Sequence, residues 1–340
     1  MTPVLSVIVP VFNEQQGLQA LFDRLYPALD GLGSSYEIIF IDDGSHDRSV
    51  ELLRDQFNKR PDRTRVIVFA NNAGQHNAIL AGFEYARGRY VVTLDADLQN
   101  PPEEIPKLFA ALESGADYVG TIRKRRQDSL WRRWASRALN RLRESTTNIR
   151  ITDQGCMLRG YARSVVDAVN RSREVNAFIP ALAYIYARRP VEIEVAHEAR
   201  HVGESKYSLY SLIRLNFDLM TGFSLLPLQF FTVTGILISI LSPLFVAFLA
   251  VRRILFGPEA EGLFTLFGIL FFLVGILLLG LGVVGEYIGR IFEQVRQRPR
   301  YVVAAIVQEA SAEAREPGQE AQGANRVSSS VSPARQASTL

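Results

Sequence analysis

Two uncharged apolar runs near the carboxyl end constrain this chain more than any other feature. Residues 230–251 form a run of 22, interrupted by Pro243, and residues 263–285 form a second of 23, rich in Leu, Phe and Gly. About 20 apolar residues in a helix cross the hydrocarbon of a bilayer, and buried helices of soluble cores seldom run so far without a charge. Two transmembrane helices are therefore predicted, within 229–252 and 263–286. The linker 252–262 is short and carries Arg252, Arg253, Glu259 and Glu261. Arg290, Arg296, Arg298 and Arg300 follow the second run with almost no acid between them. The positive-inside tendency puts that end in the cytoplasm, although Arg252 and Arg253 run against it. Two crossings then put the preceding domain on the cytoplasmic side as well.

The flanking segments fit this plan. Leu209, Leu212, Ile213, Phe217 and Met220 share one helical face with Ser224. That pattern predicts juxtamembrane amphipathic helices over 206–228, lying in the interface or packed on the soluble domain. Residues 287–306 read as a cytoplasmic return segment. Residues 307–340 are rich in Ala, Ser, Gln, Glu and Pro and read as a disordered tail. The first ten residues lack a charged start, and their apolar run is broken by Pro10, Asn13 and Glu14, so no cleavable signal peptide is expected. A lone cysteine, Cys156, excludes an internal disulfide.

The first 205 residues alternate short β-branched runs with helical patterns. Strands are expected at 5–11, 37–41, 65–69, 90–94 and 117–121. Helices are expected at 16–29, 47–57 (capped by Ser45 or Asp47), 73–86 and 103–113. Such alternation implies a doubly wound α/β sheet with ligands at the carboxyl ends of its strands. The first strand ends in Pro10-Val11-Phe12-Asn13-Glu14 rather than a glycine-rich turn, and no Walker-type loop occurs. The phosphate-cradling device of dehydrogenases and NTPases is thus missing.

Acidic groups stand at three strand ends instead: Glu14, then Asp42 and Asp43, then Asp95 and Asp97. Carboxylates repel a diphosphate unless a cation lies between them. Mg²⁺ or Mn²⁺ takes oxygen ligands and bridges carboxylate to phosphate. An Asp-x-Asp directly after a strand, followed by Gln99 and Pro101-Pro102, suits that task. By itself the pattern also fits a solvated turn.

The strings Pro10 to Glu14, Asp42-Asp43-Gly44-Ser45 and Asp95-Ala96-Asp97-Leu98-Gln99 resemble the GT-A glycosyltransferases of family 2, whose catalytic domain is Rossmann-like. Two spans at the carboxyl end resemble the polyprenyl-phosphate branch of that family. Longer strings around Asn72 to Ala78, Leu94 to Pro106, Val119 to Arg123, Arg126 to Ser129, Asp153 to Arg159, Gly203 to Tyr207 and Gly285 to Arg290 resemble its formamido-arabinose transferases. The similarity spans roughly residues 4–305.

The resemblance implies inverting transfer of 4-deoxy-4-formamido-L-arabinose from a UDP-sugar donor to undecaprenyl phosphate, for lipid A modification and polymyxin resistance. It implies a bacterial inner-membrane location, a cytoplasmic catalytic domain and a homo-oligomer, a tetramer. By the same resemblance Pro10, Phe12, Glu14, Asp42, Asp43 and Ala96 line the UDP-sugar site. Uracil N3–H is a donor and suits the Asp42 carboxylate. Asp95, Asp97 and Gln99 take the Mg²⁺ or Mn²⁺.

The acceptor needs cations. A basic stretch from Arg123 to Arg143, interleaved with Trp131 and Trp134, suits a membrane surface better than nucleic acid in a chain that has spans. Arg123 directly follows a strand and is the member expected to touch phosphate. Arg200, Ser205 and Lys206 stand before the juxtamembrane segment, where a lipid phosphate must be met. A phosphate monoester has a second pKa of about 6 and is already a nucleophile at neutral pH. Asp153 is therefore either a base or an orienting group, and His76 either contacts the sugar or diphosphate or makes a structural bond.

Three alternatives stay open at this point: transfer of glucose or another hexose to the same lipid, a processive synthase, and a non-catalytic lipid scaffold. The processive reading lacks its Gln-x-x-Arg-Trp motif and its further spans.

Overall fold

A computed structural model describes residues 2–123, 151–153, 155–172, 178–198, 221, 225–257, 263–296 and 298–309. The chain divides into two compact units. The first contains an eight-stranded sheet. Its strands are β1 (Leu5–Val11), β2 (Tyr36–Asp42), β3 (Thr64–Phe69), β4 (Tyr90–Thr93), β5 (Tyr118–Arg123), β6 (Arg159–Ala162), β7 (Pro190–Val195) and β8 (Val303–Val307). Their order across the sheet is β7-β5-β6-β4-β1-β2-β3-β8. The crossover helices are α1 (Leu18–Asp30), α2 (Ser49–Lys59), α3 (Gln75–Tyr85) and α4 (Ile105–Glu113), and α5 (Arg163–Ser172) and α6 (Ile179–Tyr186) follow β6.

The core forms because the central strands are apolar on both faces. Leu5, Val7, Ile8 and Val9 of β1 and Ile38 to Ile41 of β2 are fully buried. Strands covered on both sides read as continuous runs rather than as alternation. Helix α1 meets one face through Leu18, Leu21, Phe22, Leu25, Tyr26 and Leu29, a three-and-four spacing that makes one apolar stripe. Each leucine removed from water in this way contributes roughly 1.5–3 kcal/mol.

The expected doubly wound sheet holds for β1 to β4, which pair in parallel as β2–β3, β1–β2 and β1–β4. The whole sheet is mixed, however. β6 runs antiparallel between β4 and β5, and β8 runs antiparallel along β3. The chain moves outward from β1 through β2 to β3, then returns to place β4 on the other side of β1. That reversal is the switch point at which α/β sheets bind ligands.

The second unit contains two long helices, α7 (Leu226–Phe256) and α8 (Leu263–Val295). Both are long and apolar enough to cross a membrane. Their large side chains are left outside any protein core, with Phe230 75 % and Ile254 83 % exposed. The helices approach where the Phe231 ring lies against Gly280; a Cβ there would collide with the ring. Helix α7 runs on through Pro243. Helix α8 extends past the apolar run to Val295, so the first part of the stretch read as a return segment, 287–306, is helical.

After α8 the chain rejoins the first unit. β8 pairs with β3, the Ala70 N–H donates to the Val302 carbonyl at 2.8 Å, and Tyr301 stacks on Phe69 with ring centroids 4.7 Å apart. No strand was expected there, because five residues after a long apolar helix carry little periodic signal.

Candidate active site

Loops at the carboxyl ends of β1, β2, β3 and β4 are stitched into one surface. The Asp43 N–H donates to the Val11 carbonyl at 2.8 Å. Asn13 N–H donates to Ser45 Oγ at 2.9 Å, Glu14 N–H to Ser49 Oγ at 3.0 Å and Gln15 N–H to Asp47 Oδ2 at 3.2 Å. These bonds correct one expectation. α2 begins at Ser49, two residues later than predicted, because the Ser45 and Asp47 side chains hold the loop after β1. Asp47 still serves the helix start through a 2.9 Å bond from Ser49 N–H.

Asp42 is fully buried. Its Oδ2 accepts from Ser45 N–H at 3.0 Å, while its Oδ1 is buried with no hydrogen-bond partner. Burial pushes this carboxyl's pKa up, with bonds from Ser45 opposing the shift. An orphaned buried acceptor is costly, and such atoms ask for a missing donor. Asp43 differs. Both its oxygens are taken by the loop after β3, from Ala73 N–H at 2.6 Å and Gly74 N–H at 2.9 Å. Gly44 lies between the two loops at φ 71°, where a Cβ would sit 2.7 Å from the backbone of Asn71 and Asn72. Only glycine fits that approach.

Beyond β4 the chain alternates. Leu94, Ala96, Leu98 and Asn100 are buried, and Asp95, Asp97 and Gln99 are half-buried. Leu98 is held at φ 58° and Asn13 at φ 55°, the only non-glycine residues with positive φ among those described. Backbone strain of this kind costs about 1–3 kcal/mol and persists where surrounding contacts over-determine it. Asp95 Oδ1 accepts from Gln75 Nε2 at 2.5 Å, and Asp97 Oδ1 from Gln99 N–H at 3.1 Å. At Gly17 a Cβ would stand 3.7 Å from Glu14 Oε2 and 3.9 Å from the Ala96 carbonyl, so the loops after β1 and β4 meet there. Pro10 and Glu14 are half-buried, and Phe12 is 42 % exposed beside them.

A second wall comes from β5 to β7. Arg123, at the end of β5, forms a two-pronged ion pair with Asp153, Nε to Oδ2 at 2.6 Å and Nη2 to Oδ1 at 2.8 Å. Gly155 leaves room for it; a Cβ there would sit 2.9 Å from Arg123 Nη2. Beneath, fully buried Arg159 donates to the Asp153 carbonyl at 2.6 Å, to the Cys156 carbonyl at 2.8 Å and to Tyr118 Oη, gripping both ends of the turn. Cys156 itself is buried, and burial pushes its thiol pKa up.

Two histidines stand at the site. His76, in the first turn of α3, packs edge-on against Phe178 at 5.4 Å, and its buried Nδ1 has no hydrogen-bond partner. Burial, reinforced by the Arg159 charge, lowers its pKa to about 4. His197, two residues beyond β7, was not singled out from sequence. It feels Arg123, Asp153 and Asp97 together, and its pKa is lowered by burial and then by the Arg123 charge. Only the parallel pairing of β5 with β7, which sets Val195 opposite Arg123, brings it there.

The structure thus gathers Pro10, Phe12, Glu14, Asp42, Asp43, Asp95, Ala96, Asp97 and Gln99 at the switch point, and pairs Arg123 with Asp153. Arg200, Ser205, Lys206, the basic stretch beyond Arg123, the juxtamembrane segment up to Met220 and the tail beyond Glu309 lie outside the described residues. Among those described, no group of three or more His, Cys, Asp or Glu side chains is placed to hold an ion alone. The donor chemistry of two half-buried carboxylates two positions apart, Asp95 and Asp97, still fits a hard cation that completes its shell with diphosphate oxygens and water.

A nucleotide-type sheet whose switch point carries paired aspartates in place of a glycine-rich loop is the architecture of a sugar-nucleotide transferase. The chain belongs to glycosyl transferase family 2, which its residues 6–169 match; it is a glycosyltransferase of GT-A type. It is 48 % identical over 305 residues to the undecaprenyl-phosphate 4-deoxy-4-formamido-L-arabinose transferase of Edwardsiella ictaluri, covering 89 % of this chain and 94 % of that protein. The protein of the same name from Aeromonas hydrophila is 47 % identical over 310 residues, 91 % of this chain and 95 % of its own. Among solved structures, glucosyl-3-phosphoglycerate synthase from Mycobacterium tuberculosis shares 16 % identity over 64 % of this chain and 78 % of that one, with a TM-score of 0.43. At that distance the likeness bears on no single residue.

Proposed function

We propose that this enzyme transfers 4-deoxy-4-formamido-L-arabinose from its UDP donor to undecaprenyl phosphate, supplying sugar for lipid A modification. Identity of 46–48 % over about nine-tenths of the chain to transferases of that name carries the choice of sugar and acceptor. The unpartnered Asp42 Oδ1 carries the choice of nucleotide. It offers the buried acceptor that a uracil N3–H needs, with exposed Phe12 beside it as an apolar surface for the ring.

Asp95 and Asp97 would hold Mg²⁺ or Mn²⁺, assisted by Gln99. The bound ion supplies Lewis-acid neutralisation of the departing diphosphate. Gln75 orients Asp95, and the Gln99 N–H orients Asp97. On the acceptor side Arg123 meets phosphate, with Arg200, Ser205 and Lys206 as its partners in sequence. The monoester oxygen attacks the anomeric carbon with inversion, and the bond to the UDP oxygen breaks. Asp153 is engaged by Arg123, which favours an orienting role over that of a base. Catalysis is then positioning and charge neutralisation.

The same reading covers location. β8 lies in the sheet that precedes the two apolar helices, so two crossings between them begin and end on one side of a bilayer. Arginines after α8 favour the cytoplasmic side of the inner membrane. A homo-oligomer, a tetramer, belongs to the proposal through the family resemblance. The test is transfer by purified enzyme with a panel of UDP donors, with and without chelator. Turnover of a UDP-hexose alone would reject the formamido sugar. Full turnover after stringent demetallation would reject the ion.

A further inference from the structure

The Asp95–Gln99 loop is fastened at both ends to one dipeptide, Cys156-Met157, which follows closely on Asp153. At the loop's entry Thr93 Oγ1 donates to the Met157 carbonyl at 2.6 Å. At its exit the Cys156 thiol donates to Asn100 Oδ1 at 3.3 Å. The same sulfur accepts from Thr121 Oγ1 at 2.9 Å, and that hydroxyl also reaches the Leu158 carbonyl at 2.7 Å. Thr121 lies two residues before Arg123 in β5. The thiol is therefore a junction of three segments: the aspartate loop, the strand that ends in Arg123 and the turn that carries Asp153.

The chemistry of the junction fixes its direction. Asn100 Oδ1 can only accept, and a threonine hydroxyl has a single proton to give. The Leu158 carbonyl is a stronger acceptor for that proton than the sulfur is, which leaves the thiol proton to Asn100. Thr93, Asn100, Thr121 and Cys156 are all buried, so these bonds are shielded from water. A thiol is a weak donor, however, and a bond of 3.3 Å from it adds little to stability. Its place matters more than its strength. Arg159 already holds the Asp153 and Cys156 carbonyls, so the turn is gripped at both ends, and Asn100 carries its position over to the loop.

We propose that Asn100 is a positioning residue for transfer: through Cys156 it registers the Asp95–Gln99 loop against the turn that carries Asp153, the partner of Arg123. This rests on the donor and acceptor assignment above. Misplacement of reacting groups by about 1 Å costs on the order of a hundredfold in rate. A smaller slip between loop and turn should slow transfer while each side still binds its own substrate.

The experiment uses the full chain in lipid nanodiscs. It measures transfer kinetics, UDP affinity in the presence of Mn²⁺ by calorimetry, and stability by chemical denaturation. Asn100→Ala and Cys156→Ala should each lower kcat about tenfold and keep UDP affinity within about threefold. The double variant should be no slower than the slower single, because both substitutions break one contact; independent effects would multiply to about a hundredfold. A role in stability alone would lower the denaturation midpoint and leave the kcat of the folded enzyme intact. Cys156→Ala removes only a sulfur and supplies the measurement if Asn100→Ala folds poorly. Wild-type kcat in either single variant, multiplied losses in the double, or a loss of UDP affinity equal to the loss of kcat would each overturn the proposal. Rates are read as ratios to wild type on whichever UDP-sugar and polyprenyl phosphate that enzyme turns over. Failure of the wild type on undecaprenyl phosphate would therefore sink the functional assignment and leave the coupling to be read on the true pair.

Discussion

The two walls of the site are built on opposite electrostatic plans. On the donor wall a buried carboxylate, Asp42, is left with an oxygen to satisfy. Asp95 and Asp97 are half-buried and accept bonds from the Gln75 amide and the Gln99 N–H. On the opposite wall the carboxylate is already committed, with Asp153 locked to Arg123 and the turn beneath it gripped by Arg159. Both plans use aspartate, so residue type alone does not set the role. In the proposed reading, the wall with the unsatisfied Asp42 oxygen serves the nucleotide leaving group, and the wall whose acid is matched by arginine serves an acceptor that arrives as an anion and needs no deprotonation.

The largest effect should come from breaking the donor plan at its ion. Asp97→Asn should lower kcat about a thousandfold, because loss of Lewis-acid help costs several kcal/mol of transition-state stabilisation. The check is transfer rate across a Mn²⁺ titration, and near-normal turnover in Asp97→Asn would dissolve the contrast between the walls. Asp42→Ala should act at binding. Loss of a hydrogen bond to a charged acceptor costs about 1.5–3 kcal/mol, or roughly ten- to a hundredfold in UDP affinity by calorimetry. Its metal dependence should be unchanged. If Asp42→Ala altered the ion requirement instead, the nucleobase and metal halves of the donor wall would not be separable.

The donor wall was the legible one, and the reason is distance along the chain. β1 to β4 are parallel, and β1, β2 and β4 are each followed at once by acidic residues, so Pro10 to Glu14, Asp42 and Asp95 to Gln99 could be read from adjacent residues. The opposite wall depends on pairings the sequence does not display. Asp153 meets Arg123 thirty positions away because β6 inserts antiparallel between β4 and β5. β6 is four residues long, contains Arg159 and Gly160, and shows no apolar run. β7 did carry a signal in the alternation Val191-Glu192-Ile193-Glu194-Val195, but nothing local said that it would lie beside β5 and deliver His197. Asn100 and Cys156 are 56 positions apart. The apolar helices were readable for the opposite reason, since length and lack of charge are properties of the run itself.

The acceptor wall gives a sharper test through pH. If Asp153 orients Arg123, Asp153→Asn should cut transfer about tenfold through misplacement while leaving the shape of the pH profile intact. In both proteins kcat/KM should rise as the lipid monoester loses its second proton near pH 6 and then level off. Loss of that rising limb in the variant alone would make Asp153 a base. Stability should also fall, by about 3 kcal/mol at most, because the half-buried Arg123 charge loses its two-pronged carboxylate partner. Chemical denaturation separates that cost from the kinetic one.

The smallest effect concerns His76, which packs against Phe178 and is held neutral. Its pKa falls from an ordinary 6.5 to about 4, chiefly through burial. Below pH 6.5 the unfolded chain binds a proton at this residue that the folded chain refuses. Stability contributed here is therefore complete above about pH 6.5 and is lost as pH falls toward 4. The ring is partly open to solvent, so the loss should be about 1–2 kcal/mol rather than the full value of the shift. Urea denaturation between pH 4 and 7 should show this slope in the wild type and lose it in His76→Gln. An unchanged slope would mean that the imidazole takes up its proton as readily in the fold as in the free chain. Burial and the Arg159 charge would then not be what holds the ring neutral.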